Sequence, residues 1–452
     1  MQAEKFYEKK HLKSIPIEFT TKEEWPSILG QWSEDQKQQA TWQTFSGNPG
    51  EVFLCLDAKG LLQKVYLGTA PTRYFFAIAS AALKLPAGSY HFEDELDEFD
   101  LIAWGMAQYK FIRYKNVEIN PKMLVLSDKL YAKVLPCVDA VFKVRDLINT
   151  PAEDLGPEDL GMVLQGLAQK YQAKFSSIIG DELLSQNFPA VYAVGRAAPQ
   201  APRLLKLVWG QEKHPKIILV GKGVCFDSGG LDLKPASAMR AMKKDMGGAA
   251  QVVGLAQLIM HFNLPIQLQV LIPAVENAID GQAFRPGDII RMRNGLHVEI
   301  DNTDAEGRLI LADALTYACE QKPEMIIDFA TLTGAARTAV GTEISALFSN
   351  QDEFARKVQE FSTKTNDFVW QMPLYEPYMS MLDSNVADMT NSTSSPYAGA
   401  ITAALFLKKF VDEKICWGHF DLMAWNISTK PGRPEGGEAM GMLTIFKFLS
   451  QS

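Results

Sequence analysis

Residues 216–250 read KIILVGKGVCFDSGGLDLKPASAMRAMKKDMGGAA. The segment opens on an apolar, β-branched run that predicts a strand buried on both faces. It breaks at Gly221, Lys222 and Gly223 and resumes as a helical pattern after Asp245. A strand delivering its end to a glycine-rich turn and then a helix is the unit from which α/β folds are built. Two nucleotide-binding readings of this turn fail at their defining positions. A P-loop needs GxxxxGK followed by Ser or Thr, but Gly223 follows Lys222; a dinucleotide fingerprint starting at Gly221 needs glycine where Phe226 stands. What remains is Lys222, Asp227, Lys234 and Asp245 among glycines, with Gly247 and Gly248 permitting close approach of backbone or ligand.

Working outward, further buried-strand runs occur at IQLQVLIPA, IIRMRNGLHVEI, MIIDFATLTG and ICWGHFDLMAW, with helical runs between them. The RNG inside the second of these is a hairpin signal, so the sheet is expected to be mixed rather than all parallel. Nearer the N-terminus, VFLCLDA, KVYLGTA and MLVLSD alternate with the helix-like YFFAIASAALKL. A helical pattern from Tyr131 to Ile148 runs into INTPAEDLGPEDL, and a fresh one starts at Pro157. The expected fold is α/β. A smaller N-terminal α/β domain spans 1–130, a linker helix and connection 131–156, and a larger catalytic domain 157–452 has a mixed β-sheet flanked by helices. In such a fold the chemistry belongs at the strand ends, where loops collect.

A second dense stretch, residues 300–316, reads IDNTDAEGRLILADALT. Asp304, Glu306 and Arg308 alternate with Ala305 and Gly307; in extended backbone, side chains two apart share a face and could converge on one point. With Asp227 and Asp245 this makes four carboxylates at strand ends and helix starts, which repel unless cations lie between them. Two divalent ions about 3.5–4 Å apart would balance the charge. The six histidines, at 11, 91, 214, 261, 297 and 419, all lie outside both stretches, form no HExxH and read as structural. A site richer in oxygen than in imidazole suits Mg²⁺ or Mn²⁺ as well as Zn²⁺.

With 452 residues, 47% of them hydrophobic and 22% charged, the chain can bury a full core. Its net charge of −8 argues against a partner held by neutralising phosphates. The five cysteines are scattered and unpaired in sequence, so neither a disulfide framework nor a cysteine-rich zinc site is expected. The charged start, MQAEKFYEKKHLKS, holds no signal-peptide apolar core, and no run of about 18 apolar residues occurs. The expectation is a cytoplasmic protein without a membrane partner.

VGKGVCFDSGG, LKPA, KKDMGGAA and NTDAEGRL, in this order and spacing, together with DLINTPAEDLGPEDL and DFATLTGA, resemble the leucine aminopeptidase (cytosol aminopeptidase) family of dinuclear metallopeptidases. The resemblance covers roughly residues 145 to 450. It implies that Lys222, Asp227, Asp245 and Glu306 hold a tighter metal, and that Asp227, Asp304 and Glu306 hold a more exchangeable one, Asp304 also through its carbonyl. It implies two catalytic positions off the metals: Lys234 as electrophile and Arg308 holding a bicarbonate that acts as general base. It implies release of N-terminal residues from peptides with a free N-terminus, by attack of a metal-bridged hydroxide. Lys222 can ligate only as the free amine, which moves its proton affinity from about 10.4 to 7, or roughly 4.6 kcal/mol. The resemblance also places Met242, Thr331, Gly334 and Ala439 around the pocket for the first side chain, with Leu332 offering backbone hydrogen bonds; a Met and small residues would suit Leu or Met.

Two segments depart from the family pattern: EGGEAMGML replaces a common Gly-Arg-Pro ending, and TSSPYAGAITAA has Pro396 and Tyr397 where the family is Gly-rich. Both bear on pocket shape rather than on the metal centre. The family implies a homohexamer. Two other readings are a dinuclear phosphoesterase, which leaves Lys222 unexplained, and an added DNA-binding role, which the acidic HFEDELDEFD in the N-terminal region disfavours.

Overall fold

The computed structural model describes residues 1–9, 13–70 and 74–451; His11 lies outside the described residues. The chain forms two compact units, one comprising Met1–Lys143 and Ile427–Glu435, the other Val144–Asn426 and Gly436–Ser452. The helix Asp128–Asn149 runs across the boundary and carries Pro136 within it. The returning segment, ISTKPGRPE, looks in sequence like any Pro/Gly loop, so nothing in it marks membership of the first unit.

In the first unit six strands, β1 (Tyr7–Glu8), β2 (Ile15–Thr20), β3 (Val52–Leu56), β4 (Leu62–Gly68), β5 (Gly88–Phe92) and β6 (Lys122–Val125), form one sheet in the order β1-β6-β5-β2-β4-β3. The pairings are parallel except β3 with β4. The acids of HFEDELDEFD serve a helix start: Asp97 accepts from the Phe99 N–H, and Glu98 and Asp100 lie in the first turn of Glu98–Gln108, at the positive end of its dipole.

The second unit is built on β7 (Lys174–Ile179), β8 (Arg203–Trp209), β9 (Lys216–Gly221), β10 (Gly223–Asp227), β11 (Gln267–Asn277), β12 (Ile289–Arg291), β13 (His297–Glu299), β14 (Met325–Ala330), β15 (Ser345–Ser349), β16 (Val369–Gln371), β17 (Met389–Thr390) and β18 (Cys416–Asp421). The large sheet runs β16-β15-β18-β14-β9-β11-β8-β7, with β10 added beside β11. It is mixed, as expected, but not because of RNG. That turn joins β12 to β13 in a separate three-stranded sheet with β17. The mixture arises where β8 runs antiparallel to β11 and β7, and β15 antiparallel to β18.

The central strands β9, β14 and β18 are parallel, and their apolar side chains fill both faces. Ile218 and Val220 join the core with Ile310, Leu311 and Ala314 of the helix Glu306–Glu320. Register then sets the site. Phe329 pairs with Gly221 and Ala330 with Asp421, so Lys222, Thr331 and Asp421 emerge side by side at one edge, while Asp227 pairs with Asn277. Among the described residues no helix is long and apolar enough to cross a membrane.

Asp313, fully buried on the helix Glu306–Glu320, accepts the backbone N–H of Ala190 at 2.8 Å and of Arg293 at 2.9 Å. Burial pushes its carboxyl up to about 7, against the pull of those N–H groups. The folded protein thus holds a proton that the unfolded chain has released, and stability falls as pH rises from about 4 to about 7. Asp313→Asn removes that slope. In urea unfolding at about pH 5 and pH 8, the wild type is expected to lose roughly 2–3 kcal/mol more than the variant across the interval.

Candidate active site

Lys222 follows β9 directly. Its N–H donates to the Phe329 carbonyl at 3.0 Å, and its own carbonyl accepts from the Ala249 N–H at 2.9 Å, tying two strands to the start of the helix Gly247–His261. Glycines make the approach feasible. A Cβ on Gly307 would lie 2.5 Å from Lys222 Cε, so Gly307 leaves the space that the lysine side chain fills.

Asp245 sits in the short 3₁₀ turn Met242–Met246 that leads into this helix. The extended alternation expected for Asp304, Glu306 and Arg308 is not what forms. Glu306 is the first residue of a helix, and Ala305, with no side-chain cap, precedes it. Two residues apart on a helix, Glu306 and Arg308 point in different directions; Asp304 lies in the turn before.

The structure brings Asp227, Asp245 and Glu306 together, each buried and each offering an oxygen within 4.8 Å of the others. Lys222 Nζ stands 2.8 Å from Asp245 Oδ2 and 2.9 Å from Glu306 Oε1. Both oxygens are buried and are held in ion pairs with this one ammonium. One ammonium shared between two buried carboxylates, with Asp227 beside them, leaves negative charge uncompensated, and a divalent cation is the partner this oxygen-rich set fits. On the more open flank, Lys234 lies 2.8 Å from Asp227 and contacts Asp304, whose side chain is 32% exposed.

The electrostatics follow from burial and crowding. Burial first, then Asp227, pushes Glu306 up to about 8 despite Lys222. Burial and Asp227 likewise raise Asp304 to about 6 against the pull of Lys234. Burial would raise Asp245 too, but Lys222 and Lys244 hold it below its ordinary value. For Lys222 burial favours the neutral amine, yet Asp245, Glu306 and Asp227 outweigh it and the ammonium is held above its ordinary range. Protein groups alone therefore do not give the neutral Lys222 that metal ligation requires. Burial pushes Arg308 down to about 10, with Glu306 and Asp421 opposing, and its buried Nε has no hydrogen-bond partner.

Two family models match the chain: the cytosol aminopeptidase family catalytic domain over residues 142–446, and the M17 aminopeptidase N-terminal domain over 15–127. The chain belongs to the cytosol aminopeptidase family. It is an aminopeptidase-class hydrolase. A probable cytosol aminopeptidase of Chlamydia abortus is 41% identical over 337 residues, which is 72% of this chain and 67% of the relative. The crystal structure of the Coxiella burnetii cytosol aminopeptidase matches with a TM-score of 0.95 and 44% identity over 99% of each chain. The bottromycin maturation enzyme BotP in complex with Mn matches with a TM-score of 0.88 and 28% identity, over 97% of this chain and 99% of its own.

Within this aminopeptidase fold, several residues that sequence reasoning missed hold the site in shape. Asn391 is fully buried. Its Oδ1 accepts from the Asp301 N–H at 2.8 Å, its Nδ2 donates to the Asn302 carbonyl at 2.7 Å, and its own carbonyl accepts from Arg308 Nη1 at 2.8 Å. One side chain and one carbonyl thus fix both the Asp304 turn and the guanidinium. Asn277 Nδ2 donates to Asp227 Oδ1 at 2.9 Å and to the Thr303 carbonyl at 3.1 Å. Asp421 accepts the N–H groups of Leu332 and Thr333, each at 3.1 Å. The Leu332 N–H is therefore committed inside the protein, and its carbonyl is what the loop can offer a ligand.

Thr331 donates to Asp245 Oδ1 at 2.8 Å. Met242 and Ala439 are buried and Gly334 is exposed at the start of the helix Gly334–Val340. Glu438, in the divergent EGGEAMGML, forms a buried two-point pair with Arg145, at 3.1 and 3.0 Å. Among the other histidines, His419 is buried against Asp328 at 2.5 Å, and His91 bonds Ser14.

Asn391→Ala leaves the Asp301 N–H and the Asn302 carbonyl without their partner. It is expected to lower stability by about 2–4 kcal/mol and kcat/KM by about 10²-fold through displacement of the Asp304 turn. Thermal unfolding and steady-state kinetics on the same preparation check both.

Proposed function

We propose that this chain releases N-terminal residues from peptides in the cytoplasm as a dinuclear metal-dependent leucyl aminopeptidase. The observation that carries the proposal is the buried set Asp227, Asp245 and Glu306, in which Asp245 and Glu306 share the single ammonium of Lys222. Two divalent ions, Mn²⁺ or Zn²⁺ with Mg²⁺ an option at the exchangeable position, would be held there. Lys222, Asp227, Asp245 and Glu306 serve the tighter one, and Asp227, Asp304 and Glu306 the other. When bound, such ions acidify water and polarise a carbonyl, and a dication beside Lys222 favours its neutral amine.

The chain's own groups set the remaining geometry. The free α-amine of a peptide would be taken up where Asp227, Asp304 and Glu306 hold the more exchangeable ion, on the half-open flank, which brings the first peptide bond next to Lys234. Lys234 is kept charged because Asp227 and Asp304 outweigh its burial, so its ammonium stabilises negative charge developing on the carbonyl oxygen. Arg308, anchored through Nη1 by Asn391, has its Nε free for a planar anion. A bicarbonate held there would supply the general base. Met242, Thr331, Gly334 and Ala439 border the place of the first side chain, with walls that accept Leu or Met. Assembly as a homohexamer is part of the same reading, and sedimentation velocity measures it.

The test compares Leu-p-nitroanilide with its N-acetylated form. Cleavage confined to the free-amine substrate is expected; equal cleavage of both contradicts the role given to the amine.

A further inference from the structure

Besides Met242 and Asp245, the turn Met242–Met246 buries Lys244, which is 3% exposed. Among the described residues its Nζ makes no hydrogen bond and no ion pair. An ammonium with little access to water and no partner is a cost to stability, so packing alone does not account for a lysine here. The charged groups that act on it are Asp245, Arg337, Lys222 and Asp421. Both acids are already engaged. Asp245 faces Lys222 and the Thr331 hydroxyl, and Asp421 accepts from Leu332, from Thr333 N–H and from the Thr333 hydroxyl.

Arg337 adds a second cation. It lies one turn along the helix Gly334–Val340, with Nη2 3.4 Å from where a Cβ on Gly334 would stand. Among the described residues its Nη1 makes a soft contact, to Met423 Sδ at 3.7 Å, and no other hydrogen bond. Lys244, two residues after Met242, and Arg337, beside Gly334, thus flank two of the positions among which the first side chain of a substrate is read to lie, and among the described residues neither has a carboxylate of its own. Met242 and Ala439 can pack a methylene stem, while the two cations await an anion at its end.

We propose that the first-residue pocket recognises an acidic side chain, with the carboxylate of an N-terminal Glu or Asp pairing with Lys244 and Arg337. This rests on the aminopeptidase reading of the site and adds acidic first residues to the Leu and Met that the pocket walls accept. A pocket with an unpaired buried charge rewards a ligand that neutralises it and discriminates against one that leaves it unpaired.

The experiment measures kcat/KM for the p-nitroanilides of Glu, Asp and Leu on the full-length, metal-loaded enzyme, for wild type, Lys244→Leu, Lys244→Arg and Arg337→Leu. The wild type is expected to cleave the Glu or Asp substrate at least as efficiently as the Leu one. Lys244→Leu is expected to lower the acidic-to-Leu ratio by about 20-fold or more, and Arg337→Leu by about 5-fold. Lys244→Arg, which keeps the charge, retains most of the ratio. Because a ratio is read, a general loss of activity does not imitate the result. Should Lys244→Leu fail to fold, Arg337→Leu, at an exposed position, decides. Wild-type enzyme that cuts both Glu and Asp less efficiently than Leu overturns the proposal and leaves the aminopeptidase reading standing. So does an unchanged ratio in the soluble variants. Enzyme that cuts none of the three contradicts the aminopeptidase reading itself.

Discussion

Replacing Glu306 with glutamine is expected to lower kcat/KM by a factor on the order of 10³ or more while the protein still folds. Glu306, buried to 1% exposure, meets Lys222 at 2.9 Å and gathers with Asp227 and Asp245 in one buried cluster. Its amide replacement keeps the shape and removes the charge. Stability should respond in the opposite sense. Burial and Asp227 push the Glu306 carboxyl up to about 8 from an ordinary value of 4.5. In metal-stripped protein the folded state therefore holds a proton through that interval, and the wild type loses stability as pH rises across it. Glutamine does not titrate. The stability difference is expected to shift toward the variant between about pH 5 and pH 9, the signature of a group retained for activity at a cost in stability. Kinetics on metal-loaded enzyme and urea unfolding of stripped enzyme read the two effects separately. A Glu306→Gln variant with near-normal activity contradicts the role assigned to this carboxylate.

The second large effect comes from a glycine. A Cβ on Gly248 would lie 2.0 Å from the Phe329 carbonyl oxygen and 3.0 Å from Ala330 Cα, both backbone atoms that cannot swing aside. Gly248→Ala must push the start of the helix Gly247–His261 off β14. The hydrogen bond from Ala249 N–H to the Lys222 carbonyl goes with it, and the neighbouring turn that carries Asp245 shifts. A loss of about 3 kcal/mol or more is expected, together with weakened metal binding. Gly281→Ala, with no atom within 4 Å of the added carbon, is the control, expected to stay within about 0.5 kcal/mol of wild type. Thermal unfolding and a metal-binding isotherm on both variants make the comparison. Equal stability of the two variants contradicts the close packing assigned to Gly248.

Lys222, Asp227, Asp245, Asp304 and Glu306 stand out in the sequence because charged residues at the ends of apolar strands, among glycines, lack a solvent-exposed face to justify them. The central strands were legible for a related reason: continuous apolar runs such as KIILVG can only be buried on both faces. The local conformation of the NTDAEGRL stretch was not. Ala305 precedes the helix without a Ser, Thr, Asp or Asn cap, so the usual start signal is missing and alternation imitates a strand. Strands β7, β8 and β15 carry short or polar-interrupted runs that periodicity does not separate from loop. Asn391 and Asn277 are single amides whose importance lies in partners tens of residues away. Asp421 did leave a trace, as an acid closing the apolar strand CWGHFD.

The most direct test of the account is a metal titration. Enzyme stripped with chelator is expected to be inactive, to bind two Mn²⁺ or Zn²⁺ ions per chain in isothermal titration, tighter and weaker in turn, and to regain hydrolysis of free-amine anilides as they bind. Stripped enzyme that remains fully active, or that binds no divalent ion at the Asp227, Asp245 and Glu306 cluster, would contradict it.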